Sequence, residues 1–328
     1  MSRSSSEKRR AGGFRAAFVA ILFFALEGVS SASPLKQNAR GQSSLSSRTD
    51  LVALPVSVTD GHGNFVAGLA IENFRVLEDG QPQNITFFEQ ENTPITVGLI
   101  VDHSGSMGPK LRDVAAAVLA FAHSSSPDDE MFVIDFADTV SAQLLHGKPF
   151  SGDPQELSEA VTAVSARGQT ALYDAVAEGF LHIQLGHWNK RALIIVSDGG
   201  DNVSQHTFAQ VLGMARSSHA VIYAIGLLSE SGQEENPGVL RRLCHDTGGV
   251  AFFPPKGASI EAVMAQIARD LRGQYMLGYV PPAKAEARAF HRLEVKVSAP
   301  GRGTLHVRSR AGYSAVPSST VESGRSAP

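Results

Sequence analysis

Ile95-Thr96-Val97-Gly98-Leu99-Ile100-Val101-Asp102-His103-Ser104-Gly105-Ser106-Met107 changes character within one residue. Seven nearly continuous apolar positions give way to a short polar run. An apolar stretch without alternation suits a strand covered on both faces. Three more such runs follow, at Met131–Ile134, Ala192–Val196 and Ala220–Ile225. Between them lie segments with helical spacing. Leu111, Val114, Ala115, Val118 and Leu119 fit one helix; Leu172, Val176, Phe180 and Ile183 a second; Phe208, Val211, Leu212 and Ala215 a third; Ile260, Val263, Met264 and Ile267 a fourth. Alternating strands and helices predict an α/β domain, a doubly wound, mostly parallel sheet with helices on both faces.

In open sheets of this kind, ligands bind beyond the carboxyl ends of the strands. The first run ends in Asp102-His103-Ser104-Gly105-Ser106, and a later one in Ser197-Asp198-Gly199-Gly200. Between them, Gly168-Gln169-Thr170-Ala171-Leu172 opens a helix. Two carboxylates and three hydroxyls therefore sit on loops at one edge of one sheet. Oxygen-only ligands select a hard cation, and a set with few carboxylates favours Mg²⁺. Mn²⁺ could substitute, and Ca²⁺ fits less well. Gly105 is expected to let the loop turn back so that Ser104 and Ser106 face one point.

Asp102-His103-Ser104-Gly105-Ser106 resembles the DxSxS motif of von Willebrand factor A domains, and Thr170 and Asp198 fall in the order of that family's remaining threonine and aspartate. The likeness runs over about residues 93–270, and the wider layout is most similar to the bacterial von Willebrand factor A-related proteins. It implies a Rossmann-like fold and a metal-ion-dependent adhesion site of Asp102, Ser104, Ser106, Thr170 and Asp198. On that resemblance the serines ligate directly, Thr170 ligates directly or through water, and the aspartates act mainly as anchors. One coordination position is left for a Glu or Asp of the partner. His103, Asp201 and Asn202 are assigned to a ligand-binding rim; His103 reads as facing solvent or packing the loop rather than binding metal, and solvated loop polarity is the stronger explanation for the last two. Asp174, one turn after Thr170, reads as local hydrogen bonding.

Outside the α/β region the pattern is β. Leu51–Thr59, Phe74–Glu78 and Ile85–Glu89 read as strands, with a turn at Glu78-Asp79-Gly80; Gln274–Val280, His291–Val297 and Thr304–Arg308 read as strands after it. Neither group is large enough to be stable alone, so the two ends are expected to form one small β-sandwich-like unit. The expected organisation is a signal peptide over 1–32, a disordered linker over 33–48, and an N-terminal β segment over 49–92. The α/β domain spans 93–272, a C-terminal β segment 273–315, and a disordered tail 316–328. The leader rests on Lys8-Arg9-Arg10, the uncharged run Ala16–Leu26, and Ser30-Ser31-Ala32. That run is too short for a permanent span. It predicts a secreted or periplasmic protein, with an uncleaved membrane anchor as the alternative.

The 328 residues carry a net charge of -3 and show no basic stripe, so nucleic-acid binding has no electrostatic support. The single cysteine, Cys244, permits no intrachain disulfide and reads as a small buried hydrophobe. Neither Gly-x-Ser-x-Gly nor His-Glu-x-x-His occurs. Asp102, His103 and Ser104 are adjacent on one loop and cannot make a converging triad. The sequence thus points to a non-enzymatic binding module for a protein or other envelope macromolecule. The competing readings are a structural envelope component whose metal only orders loops and, more remotely, a metal-dependent hydrolase.

Overall fold

The computed structural model describes residues 51–90, 92–143, 147–228, 235–281 and 290–314. The expected leader, the linker and the 316–328 tail lie outside the described residues.

In chain order the elements begin with β1 (Val52–Thr59), β2 (Phe74–Glu78), β3 (Gln81–Gln83) and β4 (Ile85–Glu89). The central region follows as β5 (Ile95–Asp102), α1 (Leu111–His123), β6 (Glu130–Phe136), β7 (Val140–Gln143), α2 (Pro154–Thr162), α3 (Leu172–His182), β8 (Lys190–Ser197), α4 (Phe208–Ser217), β9 (Val221–Gly226), α5 (Pro237–Thr247), β10 (Ala251–Phe252) and α6 (Ile260–Gly273). The chain ends in β11 (Tyr275–Tyr279), β12 (Phe290–Val297), β13 (His306–Ser309) and β14 (Gly312–Ser314).

The six-stranded central sheet has the order β10-β9-β8-β5-β6-β7, parallel except for β7. Alternate residues of β5 feed two cores. Ile95, Val97, Leu99 and Val101 pack with α1 and α6 residues such as Val118 and Ile267. Ile100 packs on the other face with Phe180 of α3, Val211 of α4 and Leu243 of α5. This double burial is why the sequence shows runs rather than alternation. Cys244 is buried in the second core, and burial pushes its thiol pKa up, as suits an inert hydrophobe.

Two four-stranded antiparallel sheets, β13-β1-β11-β4 and β14-β12-β2-β3, form the sandwich-like unit. Its core holds Leu54, Val56 and Val76 from before the α/β domain and Tyr275, Leu277, Leu293 and Tyr313 from after it. Here β12 alternates strictly between exposed and buried residues over most of its length, as expected of a strand with one wet face.

The sandwich joins the α/β domain near the amino ends of β8 and β9. Arg310, 3% exposed, donates to the Ser218 carbonyl just before β9 at 2.8 Å and to the Arg216 carbonyl at 2.5 Å. Arg308 donates to the carbonyl of Gly248, the residue capping α5, and pairs with Asp270 of α6. The carboxyl ends of the strands, on the opposite edge, remain for the site.

Candidate metal centre

Asp102 is the last residue of β5 and is fully buried. Its two oxygens are both engaged: Oδ1 accepts the Ser104 N–H at 2.8 Å and Oδ2 accepts the Ser197 hydroxyl at 2.6 Å. Ser197 ends β8, and its Oγ also accepts the Gly199 N–H at 3.0 Å. Asp102 thereby links the ends of the two central strands. Ser104 Oγ and Ser106 Oγ lie 3.2 Å apart, and the Ser106 hydroxyl donates to Asp198 Oδ2 at 2.9 Å. Asp198 Oδ1 accepts the Gly200 N–H at 3.0 Å. Asp102, Ser104, Ser106 and Asp198 therefore form one continuous hydrogen-bonded set.

Thr170 arrives on a third loop. The Gly105 N–H donates to the Gly168 carbonyl at 3.3 Å, joining that loop to the serine loop. The Thr170 N–H donates to Asn202 Oδ1 at 2.9 Å, and the Asn202 N–H donates back to the Thr170 carbonyl at 3.0 Å. Gly168 is required for this approach. Its φ is +77°, and an added Cβ would come within 2.0 Å of the Asp138 carboxylate, which accepts the Gln169 N–H.

Burial pushes the Asp102 carboxyl above its usual range, opposed by the Ser104 and Ser197 hydrogen bonds, and the Asp198 charge pushes in the same direction as burial. No Lys or Arg side chain forms an ion pair with Asp102 or Asp198 among the described residues. Two carboxylates and two hydroxyls, one carboxylate disfavoured as an anion, fit a hard divalent cation by donor chemistry and by charge.

Three sequence expectations are corrected. His103 does not line a rim; it is fully buried. Its Nε2 lies 2.8 Å from the Val161 carbonyl in α2, and its Nδ1 lies 3.2 Å from the Val101 carbonyl. The ring pins the strand end to a helix that the sequence reading had not identified. Gly105 has no positive φ: the turn through Gly105–Met107 is a single 3-10 turn, and a Cβ at Gly105 would meet only the Gly168 carbonyl oxygen, at 3.8 Å. Asp174 bonds across the fold rather than locally, accepting the Gln205 and His206 N–H groups at 2.9 and 2.8 Å. Burial opposes its ionisation, but these two donors and the His206 ring hold its carboxyl below the usual range. Asp201 and Asn202 support the same loops. Asp201 Oδ1 accepts the Tyr173 N–H and the Ser204 hydroxyl, while Asn202 clasps Thr170.

A second group of ligand-type side chains lies elsewhere. One ligand atom each from Glu78, Asp79 and His291 lies within 4.8 Å of the others. The sequence reading saw only a turn at Glu78-Asp79-Gly80. The partner histidine is 212 positions beyond Asp79, and no local signal joins them.

Residues 97–200 match the family model described as the von Willebrand factor type A domain. The chain carries a domain of that family, with sandwich elements built from the segments on either side of it. No curated protein matches the sequence. Among solved structures it is similar to an aerotolerance-related membrane protein from Bacteroides fragilis NCTC 9343, with 15% identity, 54% of this chain and 98% of the other covered, and a TM-score of 0.45. It is also similar to a von Willebrand factor type A protein from Catenulispora acidiphila, with 14% identity, 83% and 76% covered, and a TM-score of 0.47. A third likeness is to proximal thread matrix protein 1 from the mussel byssus, in a form with a zinc-occupied MIDAS motif, with 16% identity, 59% and 49% covered, and a TM-score of 0.47.

Proposed function

We propose that this chain is an exported binding module that captures a protein or other macromolecular ligand through a divalent cation held at the carboxyl edge of its central sheet. Ser104 and Ser106 would hold the ion directly, with Thr170 from the third loop, and Asp102 and Asp198 would anchor the set. Mg²⁺ is the expected ion, with Mn²⁺ or Ca²⁺ as substitutes. Bound there, the ion supplies a positive centre able to accept a carboxylate from the ligand.

The observation that carries this reading is the continuous set Asp102–Ser104–Ser106–Asp198 without a cationic side chain paired to it. Both Asp102 oxygens already serve the protein, which suits an anchor rather than a direct ligand. Few protein charges reach the ion, so it stays attractive to a further anion. The reading that the metal only orders loops is disfavoured because Asn202 and Asp174 already tie the loops together with protein hydrogen bonds. Among the described residues no helix is long and apolar enough to cross a membrane.

Isothermal titration with Mg²⁺ and Mn²⁺ on the wild type and Asp102→Ala tests the site, and capture from an envelope extract with and without EDTA tests the function. Asp102→Ala should bind metal at least about 10–100-fold more weakly and lose the captured ligand. Equal metal affinity in the two proteins, or capture indifferent to EDTA, would sink the proposal. Mass spectrometry of the mature protein checks export: the expected new N-terminus follows about Ala32.

A further inference from the structure

A group of ligating side chains on the sandwich stands apart from the sheet-edge site. Glu78 ends β2, Asp79 opens the turn into β3 with a φ of 49°, and His291 lies in β12. Glu78 is 5% exposed and His291 8%. His291 Nδ1 points between the carboxylates, 3.1 Å from Glu78 Oε1 and 3.1 Å from Asp79 Oδ2. Both carboxylates are also held by other groups of the fold. The Tyr279 hydroxyl donates to Glu78 Oε2 at 2.8 Å, the Tyr313 hydroxyl donates to Glu78 Oε1 at 3.0 Å, and the Arg292 N–H donates to Asp79 Oδ1 at 2.9 Å. Tyr313 also stacks on the His291 ring, with centroids 5.1 Å apart.

We propose that Glu78, Asp79 and His291 form a second metal site, for a borderline transition ion of the Zn²⁺ type, that clips the N-terminal β segment to the C-terminal one.

Two observations carry it. The first is spacing. Ligands at 90–109° around an ion with bonds of about 2.0–2.1 Å lie about 2.9–3.4 Å from one another. Both nitrogen–oxygen separations fall in that range, and both exceed the roughly 2.7–2.9 Å of a charge-assisted N–H···O bond. The second is charge. His291 is the only ion-pair partner of Glu78 and Asp79 among the described residues. A divalent ion balances both carboxylates, which a neutral imidazole does not. An imidazole nitrogen with two carboxylates is a donor set that zinc accepts and that the oxygen-only edge site does not offer. Asp79, with a side chain 53% exposed, gives the ion a way in.

The test is Zn²⁺ titration of the full chain under saturating Mg²⁺, repeated on a Ser106→Ala background so that the edge site does not contribute. Asp79→Asn is the decisive variant: asparagine tolerates the positive φ and keeps an oxygen for the Arg292 N–H, but it removes the charge. The wild type should take up one more zinc than Asp79→Asn or His291→Gln, should show visible d–d absorption with Co²⁺ that both variants lack, and should melt at a higher temperature with zinc than without. Loss of the ligand in Asp79→Asn should weaken zinc by more than the roughly 10–100-fold typical of outer-sphere partners. Equal zinc uptake by the wild type and Asp79→Asn, or a Co²⁺ spectrum unchanged by the substitution, would overturn the proposal, whether or not His291→Gln folds.

Discussion

The two edges of the central sheet treat carboxylates in opposite ways. At the amino edge three buried aspartates are answered by arginines: Asp129 pairs with Arg272, Asp270 with Arg308, and Asp246 with Arg216 and Arg242. At the carboxyl edge Asp102 and Asp198 are met by hydroxyls and backbone N–H groups alone. Where the α/β domain meets the sandwich, charges are neutralised within the chain and rigidify the contact. Where loops gather at the free edge, negative charge is oriented but left unbalanced. An arrangement of that kind favours a cation from outside, and on the proposed function it divides the sheet into an edge for stability and an edge for ligation.

The sharpest test of this division removes one carboxylate from each edge. Asp129 is buried, pairs with Arg272, and accepts the N–H groups of Ile95 and Ser126. Asp129→Ala leaves a partly buried guanidinium and two N–H groups unanswered, so urea unfolding should show a loss of about 3–5 kcal/mol, with Mg²⁺ affinity per folded molecule unchanged. A loss below about 1 kcal/mol would put the amino edge on the same footing as an exposed ion pair.

Asp102→Asn should behave in the reverse sense. The amide can still accept the Ser104 N–H and donate to Ser197. Metal affinity should fall at least about 10–100-fold, while metal-free stability at neutral pH should be no lower than that of the wild type. The pH dependence gives the sign. Burial holds the Asp102 carboxyl above its usual value of 3.8, so the folded chain keeps this proton to higher pH than the unfolded chain. The stability of the metal-free wild type therefore carries a contribution that is present at low pH and lost as pH rises from about 3.8 through the raised folded value. Asp102→Asn should lack that fall, and saturating Mg²⁺ should suppress it in the wild type. Parallel stability–pH curves for the two metal-free proteins would contradict the assignment.

Gly168→Ala comes next in size. The positive φ and the Asp138 carboxylate together should cost about 1–3 kcal/mol and loosen metal binding through Thr170, whose loop Gly168 shapes. A thermal melt matching the wild type would show that the loop can adopt another path.

The sheet was legible because β5, β6, β8 and β9 are buried on both faces and leave unbroken apolar runs. The grouping of Asp102, Ser104, Ser106 and Asp198 was legible because the ends of β5 and β8 place them, whereas Thr170 comes from the loop before α3. The pieces not read share a physical cause. Strands β3, β10 and β14 hold two or three residues each, too few for a period. Strand β7, Val-Ser-Ala-Gln, is an antiparallel edge with no apolar run. Helix α2 did carry a signal, Asp153 before Pro154, and the Asp153 side chain caps the Gln155 N–H at 2.8 Å. Without that helix the sequence shows no neighbour for His103, whose Nε2 lies 2.8 Å from the Val161 carbonyl. The Glu78–Asp79–His291 group could not be read locally, because antiparallel pairing of β2 with β12 alone brings its members together.

The smallest expected effect is at Gly105, and it separates motif from mechanics. The residue sits between the two serines, where a glycine invites the idea that backbone freedom brings both hydroxyls to one point. The structure gives it a 3-10 turn without positive φ, and the nearest atom to an added Cβ is the Gly168 carbonyl oxygen at 3.8 Å, ordinary contact. Gly105→Ala should therefore leave Ser104 Oγ and Ser106 Oγ where they are. By restricting the unfolded chain it should raise stability by about 0.4–1 kcal/mol, read as a small rise in melting temperature, with Mg²⁺ affinity within about twofold of the wild type. If alanine instead weakened metal binding tenfold, the turn would have to open for the ion to enter, and the hydrogen-bonded set of Asp102, Ser104, Ser106 and Asp198 would not be the arrangement that holds it.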